Sequence, residues 1–291
     1  MARKILLILS FSLFLGRLCA QEIQIKRVSS PIEVDGIIDD AWAMADSAYD
    51  WMQYFPFDSS LAVNQSVAKV LFDDKNIYVL GVMYSLTKEK EYVTPSLRRD
   101  FLGSANDNFT VIFDTFQDKT NAFTFGINPF GVQREGLVSN GGSGESSFSL
   151  EWDNVWVGEA RQYDGYWVAE MAIPFNTLRF NEDQTEWNIN FYRIDSESAE
   201  RSTWAPISRN FTLFNLAALR VANWEEPTKK GGKNLSFIPY LSGNSSKNFE
   251  TNGEAKSGLS AGFDIKYGLT PGLNLDLTVN PDFSQVEVDQ Q

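Results

Sequence analysis

The chain has 291 residues, enough for one or two domains with a sizeable core, and 43% of them are apolar, so disorder is not its default state. It carries a formal charge of −13, no histidine and a single cysteine, Cys19. Serine–histidine triads and histidine zinc sites are therefore excluded by inventory.

Residues 1–20 read as a secretory leader. Arg3 and Lys4 begin it, residues 5–15 are almost wholly apolar, and Leu18-Cys19-Ala20 ends on a small residue. The stretch is too short for a spanning helix. Cleavage after Ala20 removes the only cysteine, and with it disulfide and thiol chemistry. It also removes three cations and no acid, taking the formal charge from −13 to −16. So acidic a chain excludes nucleic acid as a natural partner and favours neutral ligands or hard cations.

Beyond the leader, residues 31–34 read as a short strand. Asp35-Gly36 reads as a tight turn, and Asp39 or Asp40 as the cap of a short helix carrying Trp42, a core plug. Residues 62–72 alternate partly and read as a strand. Residues 77–84 are apolar nearly throughout, as in a strand covered on both faces. Residues 88–104 form a long polar loop containing Arg98-Arg99-Asp100, the kind of segment that holds a binding site on a rigid scaffold. Residues 107–116 and 122–128 read as a hairpin, with Phe109, Val111 and Phe113 on one face. Gly141-Gly142-Ser143-Gly144 reads as loop.

The clearest hairpin joins residues 152–160 to 166–173 through Asp164-Gly165, and Pro174 ends it. We expect it at the centre of the fold. Strands at 186–194 and 217–221 follow. Many short strands and one or two brief helices predict an all-β fold, a β-sandwich over residues 21–226.

Composition changes at 227–234, a basic, glycine-containing linker. In 235–291, Leu259, Ala261, Phe263, Ile265 and Tyr267 alternate with small or polar residues. After Thr270-Pro271-Gly272, Leu273, Leu275, Leu277 and Val279 alternate in the same way. That pattern matches the strands of an outer-membrane β-barrel, and an ordinary amphipathic hairpin is the alternative. A barrel needs at least about eight strands, so this reading expects a longer protein.

Candidate ligand groups follow from sugar chemistry, in which an aromatic ring stacks on a pyranose and planar polar groups hold its hydroxyls. Trp152, Trp156 and Trp204 lie near strand ends or loops, whereas Trp167 and Trp187, mid-strand, read as core. Arg99, Arg134 and Arg193 can hold hydroxyls or pair with acids. Asp114 and Asp118 frame a turn that could ligate Ca²⁺. Glu135, Glu151, Asp153 and Glu170 are available carboxylates, but no spacing marks a catalytic pair, so no catalytic residue is assigned.

Several motifs together resemble carbohydrate-binding module family 9. They are Val34-Asp35-Gly36 with Asp40-Ala41-Trp42, Asn76-Ile77-Tyr78-Val79, the run from Asp107 to Asp114, and Gly165-Tyr166-Trp167 through Ile173-Pro174. Asn128-Pro129-Phe130-Gly131, Trp152-Asp153-Asn154-Val155-Trp156 and Asn280-Pro281-Asp282-Phe283 resemble more closely a subgroup of exported Bacteroidetes-type proteins. In these the module precedes an uncharacterised (DUF5916-like) domain thought to be an outer-membrane barrel. The resemblance implies a sugar-binding sandwich, often attached to glycoside hydrolases, that clamps a terminal sugar between two tryptophans. Trp204 matches one of them. The other would fall at residues 102–105, where none stands. Thr110 and Gly126 stand where the family has an acid and an arginine, and Asn128 keeps a polar role. The expected function is thus an exported, non-catalytic carbohydrate-binding module, joined to the outer membrane through its C-terminal strands and linked to carbohydrate catabolism. A plug or assembly domain without a sugar site, and the N-terminal part of a glycoside hydrolase, are the alternatives.

Overall fold

The structure is a computed structural model that describes residues 21–88, 91–229, 235–246, 256–270 and 273–280. The leader, most of the linker and the last residues of the Asn280-Pro281-Asp282-Phe283 motif lie outside the described residues.

Strands β1 (Ile23–Arg27), β2 (Ser47–Ala48), β3 (Met52–Phe55), β4 (Ser66–Phe72) and β5 (Asn76–Tyr84) come first. Next are β6 (Asn108–Asp114), β7 (Ala122–Ile127), β8 (Gln133–Val138), β9 (Phe148–Ser149), β10 (Val157–Tyr163) and β11 (Tyr166–Pro174). Then come β12 (Glu186–Asp195), β13 (Glu200–Thr203) and β14 (Arg220–Trp224). No α-helix occurs among the described residues, only short 3-10 turns such as Asp40–Met44.

These strands make the two layers of a β-sandwich. One sheet runs β10-β11-β5-β4, with β2 on the β4 edge. The other runs β14-β12-β6-β7-β8-β9, and β13 and β3 extend it beside the second half of β12. β1 belongs to both sheets. Ile23–Ile25 pair in parallel with Ala222–Trp224 of β14, and Lys26–Arg27 pair in parallel with Leu71–Phe72 of β4.

The core between the layers is aromatic. At one end Trp187 meets Trp224 edge-on at 4.9 Å, and Phe72 meets Trp224 at 5.0 Å. At the other end Phe191 lies 6.0 Å from Phe109, 6.2 Å from Trp51 and 5.7 Å from Trp204. Such pairs add about 0.5–1.5 kcal/mol each beyond the area they bury.

Both outer faces are partly covered as well. Val28, Ile32 and Trp42 pack on Leu71, Tyr78, Leu80 and Val168 of the first sheet. Leu213, Phe214, Leu216 and Leu219 pack on Ile112 and Tyr192 of the second. That double cover is why β5, β6 and β12 are apolar or buried nearly throughout instead of alternating.

Two buried charges stitch this assembly. Arg193 points between the sheets, donates to the carbonyl of Tyr84 at 2.7 Å and pairs with Asp195 at 2.9 Å. Glu170 accepts from Trp42 Nε1 at 2.9 Å and from the amides of Asp35 and Gly36, fastening the N-terminal loop to the first sheet. Burial pushes the Glu170 carboxyl above its ordinary range, although the three donors pull the other way.

Several expectations change in detail. The hairpin of β10 and β11 lies at a sheet edge, not the centre, because among the described residues β10 pairs only with β11. Residues 31–34 are irregular, and the side chain of Asp39 makes no cap bond. The last strand begins at Arg220, because Leu216–Ala218 form a 3-10 turn capped by Asn215.

A second sheet follows the sandwich. It consists of β15 (Leu235–Ser246), β16 (Lys256–Thr270) and β17 (Leu273–Val279), antiparallel in that order. Phe237, Ile265 and Leu277 form one cross-strand row, and Pro239, Phe263 and Val279 the next on the same face. The opposite face carries rows such as Ile238, Asp264 and Thr278, or Lys266 and Asp276. Among the described residues nothing covers the apolar side chains Phe237, Leu241, Leu259, Leu275 and Leu277, all of them exposed.

Candidate functional site

The outer face of the second sheet is built in cross-strand rows. One row aligns Phe55, Arg201, Ile194 and Asn108, and the next aligns Thr203, Tyr192, Thr110, Gly126 and Arg134. Period two puts both rows on the side away from Arg193.

The middle of this face is filled. The Arg134 guanidinium donates to Tyr192 Oη at 3.3 Å and lies 4.5 Å over the Phe148 ring. Phe148 stacks on Phe214 at 4.5 Å, and Phe214 meets Tyr192 edge-on. Glycines make room: a Cβ on Gly103 would sit 2.7 Å from Arg134 Nη1, and one on Gly126 would sit 2.6 Å from Thr110 Oγ1.

The end of the face is open. There a cleft of about 190 Å³ lies among Phe55, Ser104, Ile194, Ser196, Ala199 and Arg201. Phe55, at the end of β3, is 39% exposed, and Phe57 and Phe211 are exposed as well. The wall is held by polar bonds: Tyr54 Oη donates to the Phe211 carbonyl at 2.7 Å, and Asp58 accepts from Ser208 Oγ and the Arg209 amide. Those bonds hold the exposed Asp58 carboxyl below its ordinary range, the Arg209 amide first. The guanidinium carbons of Arg201 and Arg209 lie 5.8 Å and 5.3 Å from the Phe55 ring centre.

Two buried carboxylates touch the cleft and are engaged elsewhere. Asp195 takes Arg193 and Asn64, and Glu200 takes Gln53 Nε2 at 2.6 Å and the Val63 amide at 3.0 Å. The polar groups open around the cleft are therefore the Ser104 hydroxyl and guanidinium donors, Ser196 Oγ being buried.

The residues singled out from sequence are scattered. Trp204 is 0% exposed; it packs on Phe191, Arg220 lies 4.7 Å over its ring, and its Nε1 donates to Gln21. In this structure it presents no face to a pyranose. Asn128 is buried, and its Oδ1 accepts from the amides of Phe130 and Val132, shaping the turn after β7.

Arg99 and Trp156 meet through Glu135. The carboxylate is fully buried and accepts from Arg99 Nε at 3.0 Å, Trp156 Nε1 at 3.2 Å and the Asn154 amide. Trp152 is half-buried against Phe123 and Phe125. Asp114 is buried and accepts from Asn188 and the Lys119 amide, while Asp118 closes its turn through the amides of Thr120 and Asn121. Among the described residues no three acidic side chains converge. Glu151 and Asp153 are exposed.

Residues 34–234 match the family model described as carbohydrate family 9 binding domain-like. The chain belongs to that family. Residues 233–291 match a domain of unknown function, DUF5916. So the family 9-like domain is followed by a DUF5916 region.

A putative carbohydrate-binding protein from Bacteroides uniformis ATCC 8492 is similar in structure. Its identity is 10% and its TM-score 0.54, over 70% of this chain and 99% of that one. A family 9 carbohydrate-binding module from Caldicellulosiruptor kristjanssonii, solved with glucose, aligns over 71% of this chain and 98% of its own at 12% identity and a TM-score of 0.49. No curated protein matches the chain. At 10% identity the likeness to the Bacteroides uniformis protein bears on the fold alone, the all-β sandwich of the family 9-like domain.

Sequence reasoning passed over Phe55, Arg201 and Arg209. Tyr54-Phe55-Pro56-Phe57 was the available signal, because three aromatics about a proline suit neither a sheet interior nor a solvated loop.

Proposed function

We propose that the family 9-like domain binds a carbohydrate without cleaving it, in the cleft beside Phe55. The observation that carries this reading is an exposed aromatic ring at the mouth of an open cleft edged by hydroxyl and guanidinium donors. A ring of this kind stacks on the apolar face of a pyranose while the polar groups take its hydroxyls. The family, and the carbohydrate-binding names of its structural relatives, support the same ligand class. Phe55→Ala should reduce retention on polysaccharide affinity gels at least about tenfold with the fold intact by circular dichroism. Unchanged retention would remove Phe55 from the site.

A second reading is favoured by the filled middle of the face and the enclosed Trp204. On it the sandwich is a plug or assembly domain. The gel assay separates the two, since a folded protein retained by no polysaccharide is the outcome the second reading expects.

For the region after the sandwich we propose strands of an outer-membrane β-barrel, reached by export behind residues 1–20. The apolar face of β15–β17, uncovered among the described residues, supports this, as does its more polar opposite face. β15 and β16 have 12 and 15 residues, above the roughly 9–11 that a tilted strand needs to cross a bilayer. Made in an exporting diderm bacterium, the protein should lack residues 1–20 and partition with outer membranes, leaving them only in detergent. Recovery in the soluble periplasmic fraction would defeat the barrel.

A further inference from the structure

We propose that the Phe55 cleft selects an anionic sugar, one bearing a carboxylate or a sulfate, over a neutral one; this rests on the carbohydrate reading above and refines it.

Two guanidinium groups converge on one aromatic ring. Arg201 is half-buried and lines the cleft, and its guanidinium makes neither a hydrogen bond nor an ion pair among the described residues. The Arg209 guanidinium donates to the Pro56 carbonyl, and its amide donates to Asp58, whose carboxylate lies within reach of the Arg209 charge. Elsewhere in the domain Arg27, Arg99 and Arg193 each face a carboxylate. A guanidinium offers five donors and no acceptor, so a half-buried one without a partner is stabilised by whatever acceptor arrives.

The carboxylates that touch the cleft do not fill that role. Asp195 and Glu200 are turned to Arg193, Asn64, Gln53 and the Val63 amide. What remains on the walls is Arg201 together with Ser104, since Ser196 Oγ is buried, a set richer in donors than acceptors. A neutral sugar's hydroxyls can accept from a guanidinium, but they bring no charge to compensate it. A uronate or a sulfated residue brings acceptors in excess, in the planar or tripodal arrangement that a guanidinium fork recognises. The volume of about 190 Å³ lies below the range that encloses a drug-sized ligand, and suits one sugar residue lying partly exposed on Phe55.

The charge of the chain sharpens the choice. At −16 without its leader, the protein repels polyanions at long range, so an anionic glycan is held only where local cations outweigh that field. Binding should therefore be specific to the cleft, not a diffuse attraction.

The test uses the full chain in detergent, with three polymers on affinity gels: polygalacturonate, a carrageenan and a neutral mixed-linkage glucan. Polyglutamate serves as a non-sugar polyanion. We expect retention by polygalacturonate, carrageenan or both to exceed that by the glucan by about tenfold. Arg201→Gln should remove this preference, Arg209→Gln should weaken it, and Phe55→Ala should weaken all sugar binding. Which of the two anionic polymers is retained assigns carboxylate or sulfate.

Equal or better retention by the glucan would overturn the anionic preference and leave the carbohydrate reading standing. Equal retention by polyglutamate would overturn sugar selection. A folded Arg201→Gln protein with unchanged polygalacturonate and carrageenan binding would overturn the role of the cleft. No retention by any polymer would defeat both readings together.

Discussion

Trp204 shows how a single side chain changes meaning with its surroundings. In sequence it stands before Ala205-Pro206, where an exposed aromatic is plausible, and the family resemblance gave it a sugar. In the fold it closes one end of the core against Phe191 under Arg220, whose guanidinium burial pushes below its ordinary pKa. Trp204→Ala should therefore act as a core truncation, costing about 3–5 kcal/mol in urea unfolding. Trp204→Phe, which keeps most of the volume, should retain glycan binding if the ring is only packed. Glycan binding lost in a stably folded Trp204→Phe protein would restore the tryptophan to the site.

Among the elements, β5, β6, β7 and β12 were legible because apolar and β-branched residues dominate them. β8, Gln-Arg-Glu-Gly-Leu-Val, was not, and neither was β13, Glu-Arg-Ser-Thr. Their carboxylates are satisfied by partners far along the chain: Glu135 by Arg99 and Trp156, Glu200 by Gln53. A local pattern contains no trace of such partners. The cleft was hidden for the same reason, since Phe55 and Arg201 become neighbours through the pairing of β3 with β13, and Ser104 joins them from the turn before β6.

The loop fastened by Glu170 gives a pH prediction at this scale. Its carboxyl is held above the ordinary value of 4.5, chiefly by burial, so the fold favours the protonated form. The stabilisation linked to that proton is complete below the ordinary glutamate range and is lost as pH rises through the raised value. The melting temperature of the native protein relative to Glu170→Gln should thus fall as pH rises from about 4.5 toward neutrality. A difference constant with pH would show that burial does not govern this carboxyl.

For the molecule as a whole, the arrangement of β1 has a mechanical consequence. It lies parallel to β14, so the first and last strands of the sandwich run side by side in one direction, about 200 residues apart in the chain. A pull that separates the N-terminus from the segment leading to the DUF5916 region loads their hydrogen bonds together in shear, not one after another as in unzipping. β1 also grips β4, so the same tug strains both layers at once. A domain tethered by its C-terminal end can in this way bear a sustained load without yielding strand by strand.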